Sequence, residues 1–152
     1  MALDTVGFYV TSRNLVPGSI IQPGNWGTVI KQYGKAHLRY ADEMRFEEIR
    51  DSEFPSKPSR LTSNFLCARR EDADWYQQAA HPDDAIYEVA WDQELDWHQG
   101  CILLLDKQDG MTLDQRARHY WAFDHGISVD GFVPYEIVTQ SPMRIVQVLG
   151  QP

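Results

Sequence analysis

Phe8-Tyr9-Val10-Thr11-Ser12-Arg13-Asn14-Leu15 runs into Pro17-Gly18-Ser19-Ile20-Ile21 and then Pro23-Gly24. The aromatic and β-branched residues at 7–11 predict a first strand, since such side chains suit a pleated, half-buried surface. Each Pro-Gly pair is a turn signal, so 19–22 reads as a short extended piece held between two tight turns.

Outward from this stretch, elements of both kinds follow without a regular βαβ rhythm. Residues 38–50 are rich in Glu, Arg and Met and predict a helix with Leu38, Ala41 and Ile49 inward. Its charges Asp42, Glu43, Glu47 and Glu48 form an expected exposed acidic face. Pro55 and Pro58 force extended backbone, and a strand is expected over 60–66. Ala73, Tyr76 and Ala80 recur at helical spacing within 71–80, where Glu71 and Asp72 suit the positive end of the helix dipole and His81-Pro82 ends it. Alternation over 85–91 predicts a half-buried strand with Ala85, Tyr87, Val89 and Trp91 on one side. Residues 101–105 read as a buried strand. Thr112 is placed to cap a helix over 113–123 whose inner face is Leu113, Ala117, Tyr120 and Trp121. Strands over 132–138 and 144–149, joined by a turn at Ser141-Pro142, complete an α+β chain with a split, mostly antiparallel sheet.

Composition bounds the function. The chain has 152 residues, the size of one domain, with 43% apolar and 24% charged residues. Five Trp, seven Tyr and six Phe are too many for a disordered chain. A net charge of −8 argues against nucleic acid, whose phosphates need a positive field. No apolar run reaches the roughly 18 residues of a membrane span, and no secretory leader is visible at 1–10, so a cytoplasmic protein with reduced Cys67 and Cys101 is expected.

The common catalytic signatures are absent: there is no G-x-S-x-G, no phosphate-binding G-x-x-x-x-G-K and no G-x-G-x-x-G. Asp96, His98 and Cys101 lie close together, but without a second ligand cluster they read as a loop entering a buried strand, and no metal is expected. Neither cysteine has an activating neighbour in the sequence.

The order and spacing of the opening segment, of Arg60-Leu61-Thr62-Ser63-Asn64-Phe65, of the helix with Ala73, Trp75 and Tyr76, and of Ile86-Tyr87-Glu88-Val89 resemble ADP-ribosyltransferase-like domains. The ending Tyr135-Glu136-Ile137-Val138, then Ser141-Pro142-Met143-Arg144-Ile145-Val146, resembles that superfamily's closing hairpin. The small bacterial members, including the rifamycin ADP-ribosyltransferases and related uncharacterised families, have nearly this spacing. The resemblance implies a split β-sandwich with flanking helices that binds NAD, releases nicotinamide and transfers ADP-ribose to a protein or small-molecule acceptor. Toxins, antibiotic resistance and phage–host conflict are the contexts in which the superfamily acts.

The resemblance also implies site residues. Glu136 would stabilise the positive charge that develops on the ribose as the nicotinamide bond breaks, an oxocarbenium-like state. The backbone at Val10 would hold the carboxamide, with Tyr9 and Thr11 beside it. Thr62 or Ser63 would shape the pocket, Arg60 or Arg13 would neutralise the pyrophosphate, and the stacking aromatic would either be replaced by Ser63 or come from elsewhere, for instance Tyr76. Tyr9 stands where many relatives have His, and Leu61 falls near the position of a stacking tyrosine. The plainer reading makes Tyr9 a packing aromatic, Thr11 a local backbone partner, Arg60 a solvated cation and Glu136 a residue on the wet face of its strand. A non-catalytic interaction protein on the same fold is the rival expectation.

Overall fold

The computed structural model describes residues 2–150. The opening run forms β1 (Thr5–Thr11), and the two Pro-Gly turns hold β2 (Ile20–Ile21) between them. Gly24, at φ +110°, begins α1 (Asn25–Tyr33), a helix additional to those expected. Gly27 lets that helix touch the backbone of the turn at Arg60–Thr62; a Cβ there would fall 1.8 Å from the Leu61 carbonyl oxygen. Then follow α2 (Tyr40–Glu53), β3 (Asn64–Leu66), α3 (Arg70–Ala80), β4 (Ala85–Trp91) and β5 (Trp97–Cys101). The chain continues as α4 (Leu113–Ala122), β6 (Tyr135–Thr139) and β7 (Met143–Gly150).

The α+β class holds, with the strands divided between two antiparallel sheets. One runs β1-β4-β7-β2 and the other β3-β6-β5. A single bridge, Phe8 with Cys67, joins β1 to the chain just after β3. The final strands therefore do not pair as a hairpin. β6 and β7 belong to different sheets, and Ser141, in the corner between them, is buried and hydrogen-bonded. Ser141 Oγ accepts from Asp92 N at 2.9 Å, and Asn64 Nδ2 donates to both Ile21 O (3.0 Å) and Ser141 O (2.9 Å). These bonds satisfy a backbone that has left one ladder and not yet joined the next.

Several local expectations are corrected by the packing. The expected strand over 60–66 opens as a 3₁₀ turn, Arg60–Thr62, capped by the Ser59 side chain, and only Asn64–Leu66 is extended. Residues Ile102–Leu105 form another 3₁₀ turn, because the strand before them ends at Cys101 and the run packs against α4. β4 is central, between β1 and β7, so Ile86 and Ala90 are buried as well as Tyr87, Val89 and Trp91. Leu38 precedes α2 and is 98% exposed, and Ala41 is exposed too. The inward residues of α2 are Glu43, Phe46 and Ile49, so a carboxylate occupies the buried stripe that the apolar pattern was expected to mark.

α4 follows the expected cap: Thr112 Oγ1 accepts from Gln115 N and Gln115 Oε1 accepts from Thr112 N. Its Trp121 donates Nε1–H to Phe46 O at 3.0 Å, which locks α4 to α2 in the core. Beside it His98, on β5, donates Nε2–H to Tyr120 O at 2.7 Å and stays neutral; burial lowers its pKa to about 4. The unfolded imidazole titrates near 6.5, so from there down to about 4 the unfolded chain binds a proton that the fold refuses. Stability from this group is complete above pH 6.5 and falls by about 3 kcal/mol as pH drops to 4. Urea titrations across that interval should show a slope shallower by about one proton in His98→Gln.

Candidate active site

The two sheets part on one side of the Phe8–Cys67 bridge, and a cavity of about 500 Å³ fills the gap. That volume is within the ordinary range of small-molecule sites. Phe8 exchanges both backbone bonds with Cys67, at 2.8 and 2.7 Å. Backbone groups two residues apart on a strand share an edge, so the N–H and C=O of Val10 point the same way. Antiparallel register would set Val10 against Phe65, but among the described residues the bridge here is at Phe8, and both Val10 and Phe65 line the opening. The edge of β1 thus presents a free donor and acceptor to the cavity.

Glu136, on β6, lines the same cavity with 12% of its side chain accessible. Its Oε1 accepts from Tyr120 Oη at 2.6 Å and from Arg60 Nη1. Among the described residues Oε2 accepts no protein hydrogen bond, so one oxygen is anchored and the other is free. Arg60 also donates Nη1–H to Tyr120 Oη at 2.7 Å, and its Nε and Nη2 grip Glu43 at 3.0 Å. The guanidinium lies over the Phe65 ring, 4.8 Å from its centre.

The electrostatics follow from this burial. Burial by itself would raise the Glu43 pKa, but the charge and hydrogen bonds of Arg60 outweigh it and hold the carboxyl below its ordinary range. The Trp26 indole N–H helps from beyond hydrogen-bond geometry. Arg60 is itself buried, and Glu43 above all keeps it charged. Burial, reinforced by Glu136, raises the Tyr120 phenol well above its ordinary value despite Arg60, so it remains a donor. Cys67 lines the cavity, but burial and then Asp72 and Glu136 push its thiol up, which makes it wall rather than nucleophile.

Of the residues singled out in the sequence, Tyr9, Val10, Arg13, Arg60, Ser63, Tyr76 and Glu136 line this one cavity, and Thr11 and Thr62 do not. Thr11 is buried at the end of β1 and accepts from Arg13 N at 3.2 Å, closing the strand locally. Thr62 is exposed and accepts from Gln140. Ser63 contributes a wall, but its hydroxyl is committed, donating to Ser59 O at 2.6 Å and accepting from Gln140 at 2.7 Å. Arg60 is neither solvated nor free for a phosphate, since its charge is taken up by Glu43 and Glu136. Arg13 forms protein hydrogen bonds only through its backbone among the described residues, and its loop is pinned by Tyr87, whose Oη bonds Arg13 O and Leu15 N.

Glu43 and Tyr120 escape a reading of the sequence for good reason. Glu43 counts there as part of an acidic surface and Tyr120 as core, and only their meeting at Arg60 reveals a polar network. A weak apolar stripe in 38–50 was the available signal.

The chain matches a family described as a protein of unknown function (DUF2441) over residues 17–151, and it belongs to that family. The matched stretch contains Glu43, Arg60, Tyr120 and Glu136. No curated protein matches the chain.

Proposed function

We propose that this DUF2441 member binds NAD between its two sheets, releases nicotinamide and transfers ADP-ribose, as an ADP-ribosyltransferase-like fold would. The observation that carries this reading is the cavity itself, where the free edge of Val10 and the free Oε2 of Glu136 face a common space. Breaking the nicotinamide–ribose bond leaves positive charge on the sugar, and a fixed carboxylate stabilises that charge without having to reorganise. Arg60 and Tyr120 supply the fixing. Oε2 is then available to a ribose hydroxyl, and the Val10 N–H and C=O match the acceptor and donor of a carboxamide. Tyr9 and Tyr76 provide aromatic walls, and Arg13, whose side chain makes no protein hydrogen bond among the described residues, is a cation available to the pyrophosphate. The acceptor is a protein or small molecule, and the net charge of −8 disfavours nucleic acid.

A second reading, a binding module that keeps the fold without the chemistry, has its own support. Glu136 is part of a buried ion network and would be retained for stability alone. Melting curves with NAD separate the two. Ligand at a hundred times its Kd adds about 2.7 kcal/mol, or about 5–10 °C for a domain of this size. A melting temperature unmoved by millimolar NAD, with no nicotinamide released, would overturn the enzymatic reading.

A further inference from the structure

At the rim of the cavity Tyr76 Oη sits 2.9 Å from His81 Nε2, with the two rings 4.7 Å apart. The other ring nitrogen, Nδ1, faces Asp84 Oδ2 at 3.3 Å. A carboxylate beside Nδ1 favours the tautomer with its proton there, which leaves Nε2 to accept from the phenol. Asp84 is itself held, since its backbone N bonds His81 O at 3.0 Å and its O accepts from Gln77 at 2.7 Å. The helix end therefore fixes a phenol, an imidazole and a carboxylate in series. Tyr76 and His81 line the cavity that contains Glu136, and His81 keeps 42% of its side chain accessible.

We propose that Tyr76, His81 and Asp84 form a proton relay that activates a neutral hydroxyl acceptor, an alcohol or water, for attack on the ADP-ribosyl carbon. This rests on the reading of the cavity as an NAD site and names the acceptor class for it. As nicotinamide departs neutral with the electrons of the breaking C–N bond, the acceptor oxygen forms the new C–O bond. Its proton passes to Tyr76 Oη while the phenol proton passes to His81 Nε2. The resulting imidazolium faces Asp84 and returns its proton to solvent.

The surroundings favour such a relay over a free phenolate. Burial first, and then the Glu136 charge, push the Tyr76 pKa up to about 12, so the phenol holds its own proton until another replaces it. Arg60 opposes this, and Asp84 acts in the same direction as Glu136. A guanidinium or carboxylate acceptor would not need the device: the carboxylate has no proton to lose, and a cation would meet a base too weak to deprotonate it.

The test uses the full chain with NAD, with methanol as the alcohol probe, and follows nicotinamide, ADP-ribose and methyl ADP-ribose across pH. Tyr76→Phe is expected to lower turnover by about 10²-fold or more. His81→Gln should lower the rate and change the shape of the native pH profile, and Asp84→Asn should lower the rate on its plateau. Tyr76→Phe keeps the ring that walls the cavity, so it and the other two variants should retain the NAD-induced melting shift. Native rates and an unchanged pH profile in the variants would overturn the relay while leaving the NAD reading intact. Loss of the melting shift along with the rate would also overturn it, by assigning these residues to binding. A native protein that neither shifts with NAD nor releases nicotinamide would remove both proposals together.

Discussion

Arg60→Met is expected to lower the unfolding free energy by about 3–5 kcal/mol, which urea unfolding at neutral pH would measure. The loss arises from what remains. Glu43 is 3% exposed and loses the cation that keeps it ionised, and Glu136 and Tyr120 lose the guanidinium between them. Breaking one side of a buried pair leaves an uncompensated charge, whereas removing both sides does not. The double variant Glu43→Gln with Arg60→Met should therefore recover a large part of the loss. Arg60→Lys should recover little, since a single ammonium cannot serve Glu43 and Glu136 at once in the geometry of the planar fork. A cost below about 1 kcal/mol for Arg60→Met is the figure expected of an exposed pair and would contradict a buried network.

Glu136→Gln is expected to lower nicotinamide release by about 10²–10³-fold, the scale on which a positioned electrostatic group contributes to a transition state. Its effect on stability should be small, about 1 kcal/mol, because an amide oxygen can still accept from Tyr120 and Arg60 while Glu43 continues to pair the guanidinium. The two readouts move apart if the carboxylate acts on a ribose, and together if it serves the fold. Nicotinamide release measured beside a melting curve on the same preparation decides it. A native rate, or a stability loss on the scale of Arg60→Met, would favour the binding-module reading.

Much of the chain is locally legible, and the reason is local. The strand at β1, the strand at β4, the helix α3 and the capped helix α4 each carry their signal within a few residues, through alternation, three-to-four spacing, or a cap three residues away. The errors fall where a distant partner overrides that signal. Arg60–Thr62 turns because its guanidinium is drawn into a pocket between α2 and β6, and the 102–105 run turns where it meets α4. Both were expected to be extended on residue type alone.

The same division holds for the candidate site. Tyr9, Val10, Arg13 and Glu136 are singled out by the resemblance of their segments to ADP-ribosyltransferase-like domains, whereas the α+β class and the net charge follow from the amino-acid order and composition alone. Which of them share a cavity, and which cation is free, were settled only by folding. The bonds that anchor Glu136 join residues 16 and 76 positions apart, and those of Arg60 to Glu43 and Tyr120 span 17 and 60. No periodicity relates positions at such separations; they meet because α2, α4 and β6 bury their apolar faces in one core and leave their few polar side chains only one another to bond.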